Sequence, residues 1–351
     1  MAGRPCALAA LLLAGVALEG CAGVHTPPVT ALPAVEVKAR GETQPVGTAN
    51  QDAADDPAIW RNAADPQRSI LVGTDKKAGL YTYALDGSVK SFQPAGLFNN
   101  VALIETEHGI LVAASDRSDP LQAKVAFFTL DPANGALTLL GHVASGAGEA
   151  YGLCMIAKPG EAGRSRAHVY AAIKDGTVRE IALSYAPGEV SGQIMRQWKI
   201  ATQIEGCVID PVSDTLFVGE EAVGIWRIAL GDSVPKPVLF AGVDRQRLVA
   251  DVEGLALAMR TDGSRVLIAS SQGDNAYAAY DAVTAAYIGR FRITDGAIDG
   301  TSETDGIEVM TGDFGADYPD GLFVAQDGDN GGGTQNFKLV PWAEIEAALG
   351  L

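Results

Sequence analysis

Carboxylates recur along this chain in short turns that lead into apolar residues. The acidic turns contain Asp55, Asp56, Glu205, Asp251, Glu253 and Asp305. A second set of polar residues follows short apolar stretches: Asp75/Lys76/Lys77, Asp116/Arg117, Lys174/Asp175, Glu220/Glu221, Gln272/Asp274 and Gln326/Asp327/Asp329. Clustered carboxylates without His or Cys favour Ca²⁺ or Mg²⁺ over zinc or copper. Interleaved Lys and Arg would stabilise charge on substrate oxygens, which points to metal-assisted phosphoryl chemistry.

Other chemistries find little support in the sequence. The chain has no GxSxG elbow and no P-loop, and no motif contains its four histidines, His25, His108, His142 and His168. The formal net charge of −17 argues against a nucleic acid or an anionic membrane surface as partner, because both require Lys/Arg-rich patches. An acidic pocket also repels a phosphate ester, so bound calcium would have to reverse the local charge.

Each motif taken alone also has a purely structural explanation. Asp55 and Asp56 precede Pro57 and could shape a turn. The Lys76–Lys77 pair could be a solvated loop tip, and Glu220–Glu221 could be an exposed strand end. The segment that begins at Asp327 reads equally as a turn or as a calcium loop. Recurrence of these motifs at equivalent places favours the functional explanation.

A weak internal repeat supplies those equivalent places. Six copies recur about every 40–58 residues, and each combines an acidic or small turn with a later apolar run such as LVGTDKK, LVAASDR or LFVAQDGD. This period, with several short strands in each copy, predicts an all-β, six-bladed β-propeller. We interpret the apolar run as the innermost strand of each blade and expect its polar end at one mouth of the central channel. A β-sandwich is the alternative, but it would not explain six matched copies.

The N-terminus predicts export. Arg4 and the apolar run from Ala7 to Leu18 read as a signal peptide over residues 1–21, and Leu18 to Cys21 resembles a lipoprotein cleavage box in which Cys21 carries the lipid. Residues 22–41 then form a linker and residues 42–351 the propeller. We expect a periplasmic or outer-membrane-anchored protein, or an extracellular one, whose only membrane contact is a lipid on Cys21. Cys154 and Cys207 could form a disulfide or remain buried thiols.

Several long motifs resemble the β-propeller phytases. They are DDPAIW, GTDKKAGLYTYALDG, YGLCM, EGCV, DVEGLAL, SSQGDNAY, DGTSETDGIEV, FVAQDGDN and QNFKLVPW. The resemblance runs from about residue 42 to residue 343. It implies a calcium-dependent 3-phytase that hydrolyses myo-inositol hexakisphosphate by direct attack of a calcium-bridged water. It also implies that the protein binds several calcium ions. We expect the protein to be a monomer.

The resemblance also implies residue roles. Active-site calcium ligands would be Asp55, Glu205, Glu221, Glu253, Asp299 and Asp305, while Asp56 and Asp327 would hold structural calcium. Substrate-binding residues would be Lys76, Lys77, Arg117, Lys174 and Tyr151, and catalytic roles would fall on Asp55, Lys76, Glu205, Glu221, Glu253 and Asp305.

Two departures from the family pattern are present. Asp116 precedes Arg117 where the family usually has Asn, and the segment between Asn330 and Gln335 is short and glycine-rich. The second departure puts one structural calcium in doubt. Two other functions remain open: a calcium-dependent propeller lactonase or esterase, and a non-catalytic binding propeller that calcium only stabilises.

Overall fold

The computed structural model describes residue 1, residues 31–49 and residues 52–351. The predicted signal peptide and the lipidation of Cys21 fall on residues outside these ranges. In the described part of the chain the strands are β1 (Val35–Val37), β2 (Gly41–Glu42), β3 (Ala54–Trp60), β4 (Ile70–Asp75), β5 (Gly79–Ala84), β6 (Val89–Gln93), β7 (Phe98–Thr106), β8 (Gly109–Asp116), β9 (Gln122–Leu130), β10 (Leu137–Ala147), β11 (Ala150–Glu161), β12 (Arg164–Ile173), β13 (Thr177–Ala186), β14 (Glu189–Lys199), β15 (Ile204–Asp210), β16 (Thr215–Glu220), β17 (Gly224–Ala229), β18 (Val238–Gly242), β19 (Val252–Met259), β20 (Arg265–Ser271), β21 (Ala276–Asp281), β22 (Tyr287–Ile293), β23 (Ile307–Thr311), β24 (Gly321–Asp327) and β25 (Asn336–Pro341), followed by one helix, α1 (Trp342–Leu349). No helix in these ranges has the length and apolar character of a membrane span.

The described strands form six sheets, which are the blades of a propeller. Blades 1 to 4 are β3–β6, β7–β10, β11–β14 and β15–β18. Blade 5 contains β19–β22 with β1 added in parallel to β22, and blade 6 contains β23–β25 with β2 added antiparallel to β25. The predicted all-β, six-bladed propeller is confirmed.

Apolar side chains between neighbouring blades form the core. One buried cluster joins Val72 of blade 1 to Val112 and Phe128 of blade 2, and another joins Tyr170 of blade 3 to Val218 of blade 4. Each sheet is therefore packed on both faces, which explains why a strand such as β4 is buried along its whole length.

The interpretation of the apolar run as the innermost strand is wrong. In every blade the strand that begins with the acidic or small turn lies at the channel edge, and the apolar run is the second strand; the innermost strands are β3, β7, β11, β15, β19 and β23. The second strand is hydrogen-bonded on both edges and covered on both faces, so it is the most apolar. The innermost strand borders the channel, and polar residues are tolerated there.

Strands from opposite ends of the chain close the ring. In blade 6, Gly41 pairs with Leu339 and Glu42 pairs with Lys338. In blade 5, Val35 pairs with Phe291. The strands of the propeller thus include residues that the sequence analysis places in the linker 22–41.

A disulfide joins the innermost strands of two neighbouring blades. Cys154 of β11 and Cys207 of β15 are bonded, with their Cα atoms 5.6 Å apart. The structure therefore chooses between the two alternatives that the sequence leaves open for these cysteines.

Candidate active site

One polar side chain from each blade lies at the same position at the channel mouth. In blades 1 to 5 this is the second residue of the innermost strand, and in blade 6 it lies two residues before β23. The innermost strands of blades 1 to 5 all have a register shift after their first pair, which is the pattern of a β-bulge that redirects side chains. We call these six residues the mouth ring: Asp55, Asn99, Tyr151, Glu205, Glu253 and Asp305.

Glycines allow the innermost strands to approach closely just beside the mouth ring. A Cβ added to Gly206 would lie 2.2 Å from the backbone oxygen of Glu253, and one added to Gly254 would lie 2.7 Å from that of Asp305. The Gly254 N–H donates to this Asp305 oxygen at 2.7 Å. A side chain at either glycine would push two blades apart, so the close carboxylates of the ring depend on these glycines.

Polar residues at the ends of the second strands reach the same mouth. They follow β4, β8, β12, β16 and β20 directly and are Lys76, Arg117, Lys174, Glu221 and Gln272. The structure thus brings together the two sets of residues that the sequence analysis describes.

Lys76 is a buried ammonium at the centre of an ionic cluster, in which Asp55 is buried and Asp52 is exposed. Its Nζ lies 2.8 Å from Asp52 Oδ2, 2.9 Å from Asp55 Oδ2 and 2.8 Å from Asp305 Oδ2. Burial works against the charged ammonium, but these three carboxylates outweigh it and hold the pKa of Lys76 well above its usual value. Burial and the neighbouring Asp55 raise the pKa of Asp305 to about 7. One ammonium therefore faces three carboxylates, and the cluster keeps an excess of negative charge.

Three glutamates form a second carboxylate cluster beside Lys76. One carboxylate oxygen from each of Glu205, Glu221 and Glu253 lies within 4.8 Å of the other two. Burial and mutual repulsion raise the pKa of Glu205 and of Glu253 well above the usual value.

Buried carboxylate oxygens in this region lack a protein donor. Glu253 Oε2 and Asp55 Oδ1 are both buried without a hydrogen-bond partner in the described residues. Uncompensated buried charge is costly unless a counter-ion is present. Oxygen-only donors with excess negative charge are the surroundings that a hard divalent cation requires, so these residues fit calcium.

Two predicted substrate-binding cations lie against the ring of Tyr151. The Arg117 guanidinium is 5.2 Å from the centre of the ring, and Lys174 Nζ is 4.8 Å from it. Burial and the surrounding carboxylates, Glu205 first among them, keep the pKa of Tyr151 far above its usual value, so its hydroxyl remains a donor. Lys77, by contrast, is exposed at the end of β4.

Asp56 faces the interior of the channel rather than its mouth. Its Oδ2 accepts a hydrogen bond from the Val101 backbone N–H at 2.9 Å, and it lines a channel cavity together with Glu308. Burial and then the charge of Asp55 raise its pKa well above the usual value. This separates Asp56 from the mouth carboxylates.

The structure places Asp299 and Asp327 around a different cation. Both pair with Lys338, whose ammonium is fully buried and also lies 2.6 Å from Glu42 Oε2. Asp327 Oδ1 accepts the backbone N–H of Ser302 at 3.1 Å. Asp299 therefore pairs with Lys338, whereas Asp55 and Asp305 of the mouth ring pair with Lys76.

Sequence reasoning named Gln272 only as a polar residue after an apolar stretch, and it did not name Asn99 or Gln203, although all three are amides that hold carboxylates of the site. Asn99 Nδ2 donates to Glu205 Oε1 at 2.6 Å, Gln203 Nε2 to Glu221 Oε1 at 2.5 Å, and Gln272 Nε2 to Asp305 Oδ1 at 2.7 Å. It also missed Asp52 beside Lys76. The strand register of the structure shows that Asn99, rather than the Asn100 of the sequence motif, is the counterpart of Glu205.

A family model described as Phytase matches residues 5–351. The chain belongs to the phytase family. It is 37% identical over 336 residues to a curated 3-phytase of Bacillus subtilis (strain 168), an alignment that covers 90% of this chain and 86% of the relative. The predicted membership of the β-propeller phytases is confirmed, and the chain is a phytase enzyme.

Two solved structures are similar to this family member only distantly. The WD40 domain of SCAP from fission yeast has a TM-score of 0.47 at 9% identity, covering 81% of this chain and 64% of that one. The BBS1N structure in complex with ARL6DN has a TM-score of 0.44 at 12% identity, covering 78% and 75%. These similarities carry no inference about the site of the phytase-family chain.

Proposed function

We propose that this phytase hydrolyses the phosphomonoester bonds of myo-inositol hexakisphosphate (phytate) to lower inositol phosphates and inorganic phosphate, and that it requires calcium. The name of the Bacillus relative supports the substrate. The observation that carries the calcium requirement is the cluster of Glu205, Glu221 and Glu253 within 4.8 Å, next to buried carboxylate oxygens that no protein donor reaches.

The carboxylates would hold the calcium ions. Glu205, Glu221 and Glu253 would share one part of the site, and Asp55 and Asp305 would complete it beside Lys76. Calcium bound there would supply positive charge to phosphate oxygens and would make a bound water more acidic, as direct attack of water on phosphorus requires.

The cations at the mouth would orient the substrate. Lys76, Arg117 and Lys174 are donors with fixed positive charge, and they lie on three successive blades around Tyr151 and Asp55. Charge-assisted hydrogen bonds from these groups suit a substrate that carries several phosphates. The hydroxyl of Tyr151 would add a neutral donor between Arg117 and Lys174.

The assay that tests this proposal measures phosphate release from calcium phytate with and without a chelator, beside a lactone substrate. We expect release that the chelator abolishes and added calcium restores. Glu205→Gln should lose most of this activity and bind calcium more weakly, while the exposed control Glu189→Gln should behave as the unsubstituted protein. Phosphate release that a chelator does not affect would refute the calcium requirement, and lactone hydrolysis without phosphate release would refute the substrate.

A further inference from the structure

Asn99 is the amide of the mouth ring. Two other members of the ring, Asp55 of blade 1 and Glu205 of blade 4, present carboxylates, whereas blade 2 presents an amide at the equivalent register position. The Asn99 side chain is buried, with 1% of its surface exposed. A buried amide must use both its donor and its acceptor, so its contacts indicate its role.

The two ends of the Asn99 amide contact the two functional halves of the site. Nδ2 donates to Glu205 Oε1 at 2.6 Å, and Oδ1 accepts from Nη1 of Arg117. Arg117 is held on its other edge by Glu149, whose Oε1 accepts from Arg117 Nε at 3.0 Å. An Asp here could accept from Arg117 but could not donate to Glu205, and its charge would repel that carboxylate.

Gln272 provides a natural comparison. It donates to Asp305 Oδ1 at 2.7 Å, so it also holds a carboxylate of the site. Its described side-chain contacts include none of the cations Lys76, Arg117 and Lys174. Gln272 therefore supports one half of the site, whereas Asn99 joins both.

We infer that Asn99 is a positioning residue that couples the orientation of the cation-binding carboxylate Glu205 to that of the phosphate-binding guanidinium Arg117. This inference rests on the proposed function. Partners of metal ligands typically contribute about 10–100-fold in metal affinity or activity. Because one rigid amide serves both groups, its loss affects calcium affinity and substrate affinity together.

Three variants test this inference: Asn99→Ala, Asn99→Asp and Gln272→Ala. Calorimetry on the substrate-free protein measures the calcium affinity. Phosphate-release kinetics at saturating calcium measure kcat and KM for phytate. Asn99→Ala should bind calcium about 10-fold more weakly or worse and should have a raised KM. Gln272→Ala should also bind calcium more weakly, but its KM should rise much less. Asn99→Asp, which still accepts from Arg117, should have a KM nearer to that of the unsubstituted protein and a lower kcat.

The outcomes separate this inference from the proposed function. The inference about Asn99 would be overturned if Asn99→Ala had an unchanged calcium affinity. It would also be overturned if the KM of Asn99→Ala were no higher than that of Gln272→Ala. If thermal unfolding shows that Asn99→Ala does not fold, Asn99→Asp decides, because it has nearly the same shape: kcat and KM equal to those of the unsubstituted protein would overturn the inference. Failure of the unsubstituted protein to release phosphate would instead refute the proposed function, and the calcium titration would still test the contact with Glu205.

Discussion

At the residue scale, Lys76 contributes to both the stability and the chemistry of the site. Its ammonium is buried and lies within 2.9 Å of Asp52, Asp55 and Asp305. Removing one partner from a buried ionic cluster leaves uncompensated charge, which costs about 3–5 kcal/mol. The neighbouring Lys77 has the same charge but is exposed, so it is a matched control.

We expect Lys76→Ala to lower the free energy of unfolding by about 3 kcal/mol in the presence of a chelator. The loss should be smaller in calcium, because a cation that binds the native carboxylates stabilises the folded state. Denaturant unfolding with and without calcium measures this change in the unfolding free energy. Equal unfolding free energies of Lys76→Ala and Lys77→Ala in chelator would contradict the predicted stabilisation by Lys76. KM for phytate should rise in both Lys76→Ala and Lys77→Ala if both lysines contact phosphate.

At the element scale, strand register decides which side chains meet. In blade 3, Glu180 of β13 links its two neighbours: its carboxylate accepts from His168 Nδ1 of β12 at 2.8 Å and from Arg196 Nε of β14. Arg196 also donates to the backbone oxygen of Leu230 at 2.9 Å, which connects blade 3 to blade 4. We call these contacts of Glu180 with His168 and Arg196 the clamp of blade 3. The clamp lies away from the channel mouth, so its contribution to stability can be tested without changing the site.

Acid should weaken this clamp. Burial alone would raise the pKa of Glu180, but hydrogen bonds from His168 and Arg196 outweigh burial and lower the pKa to about 2. Because the pKa is lower in the folded state than in the unfolded chain (about 4.3), the stabilisation is complete above the unfolded value. It is lost as the pH falls from about 4.3 towards 2.

Glu180→Gln should therefore cost about 2–3 kcal/mol at pH 7 and flatten the loss of stability between about pH 5 and pH 2. Glu189→Gln should change little, because Glu189 forms an exposed pair with Arg164 and such pairs contribute about 0–1 kcal/mol. Unfolding free energies of both variants as a function of pH check the difference. An acid transition of Glu180→Gln as steep as that of Glu189→Gln would show that the clamp is not responsible.

At the scale of the whole molecule, the N-terminal strand β2 closes the propeller. The Thr43 N–H donates to the Phe337 carbonyl at 2.9 Å, and Thr43 Oγ1 accepts the Phe337 N–H at 3.0 Å. Glu42 also compensates the buried Lys338. Without this strand, β25 would become an open edge with unpaired backbone groups.

Deletion of residues 1–43 should therefore lower the thermal unfolding temperature and promote association through the open edge of blade 6. Deletion of residues 1–30 is the control, because it keeps β1 and β2. Thermal unfolding and size-exclusion chromatography of both proteins make the comparison. The closure has no energetic role if the two deletion variants unfold at the same temperature and stay monomeric.

The disulfide is also a property of the whole molecule, because it joins two blades across a sequence separation of 53 residues. Such bonds persist outside the reducing cytoplasm. The bond agrees with the expectation of export, which stays a prediction together with lipidation of Cys21.

The amino-acid sequence by itself determined the repeat, the fold class and the residue types of the site. These follow from local patterns: an apolar run predicts a buried strand, and the recurrence of that run predicts blades. Recurrence predicted that acidic residues of separate blades meet at the channel mouth, and the resemblance to the β-propeller phytases implied that Asp55, Glu205, Glu221, Glu253 and Asp305 are among them.

Only the tertiary structure decided which strand is innermost, which amides hold the carboxylates and where Asp299 lies. The physical reason is that these contacts join residues far apart in sequence: Lys76 and Asp305 are separated by 229 positions, and Asn99 and Glu205 by 106. Such distances become short only when the ring closes and the strand registers align. A local sequence pattern contains neither the closure nor the register, so it could not show that Asn99 lies between Glu205 and Arg117.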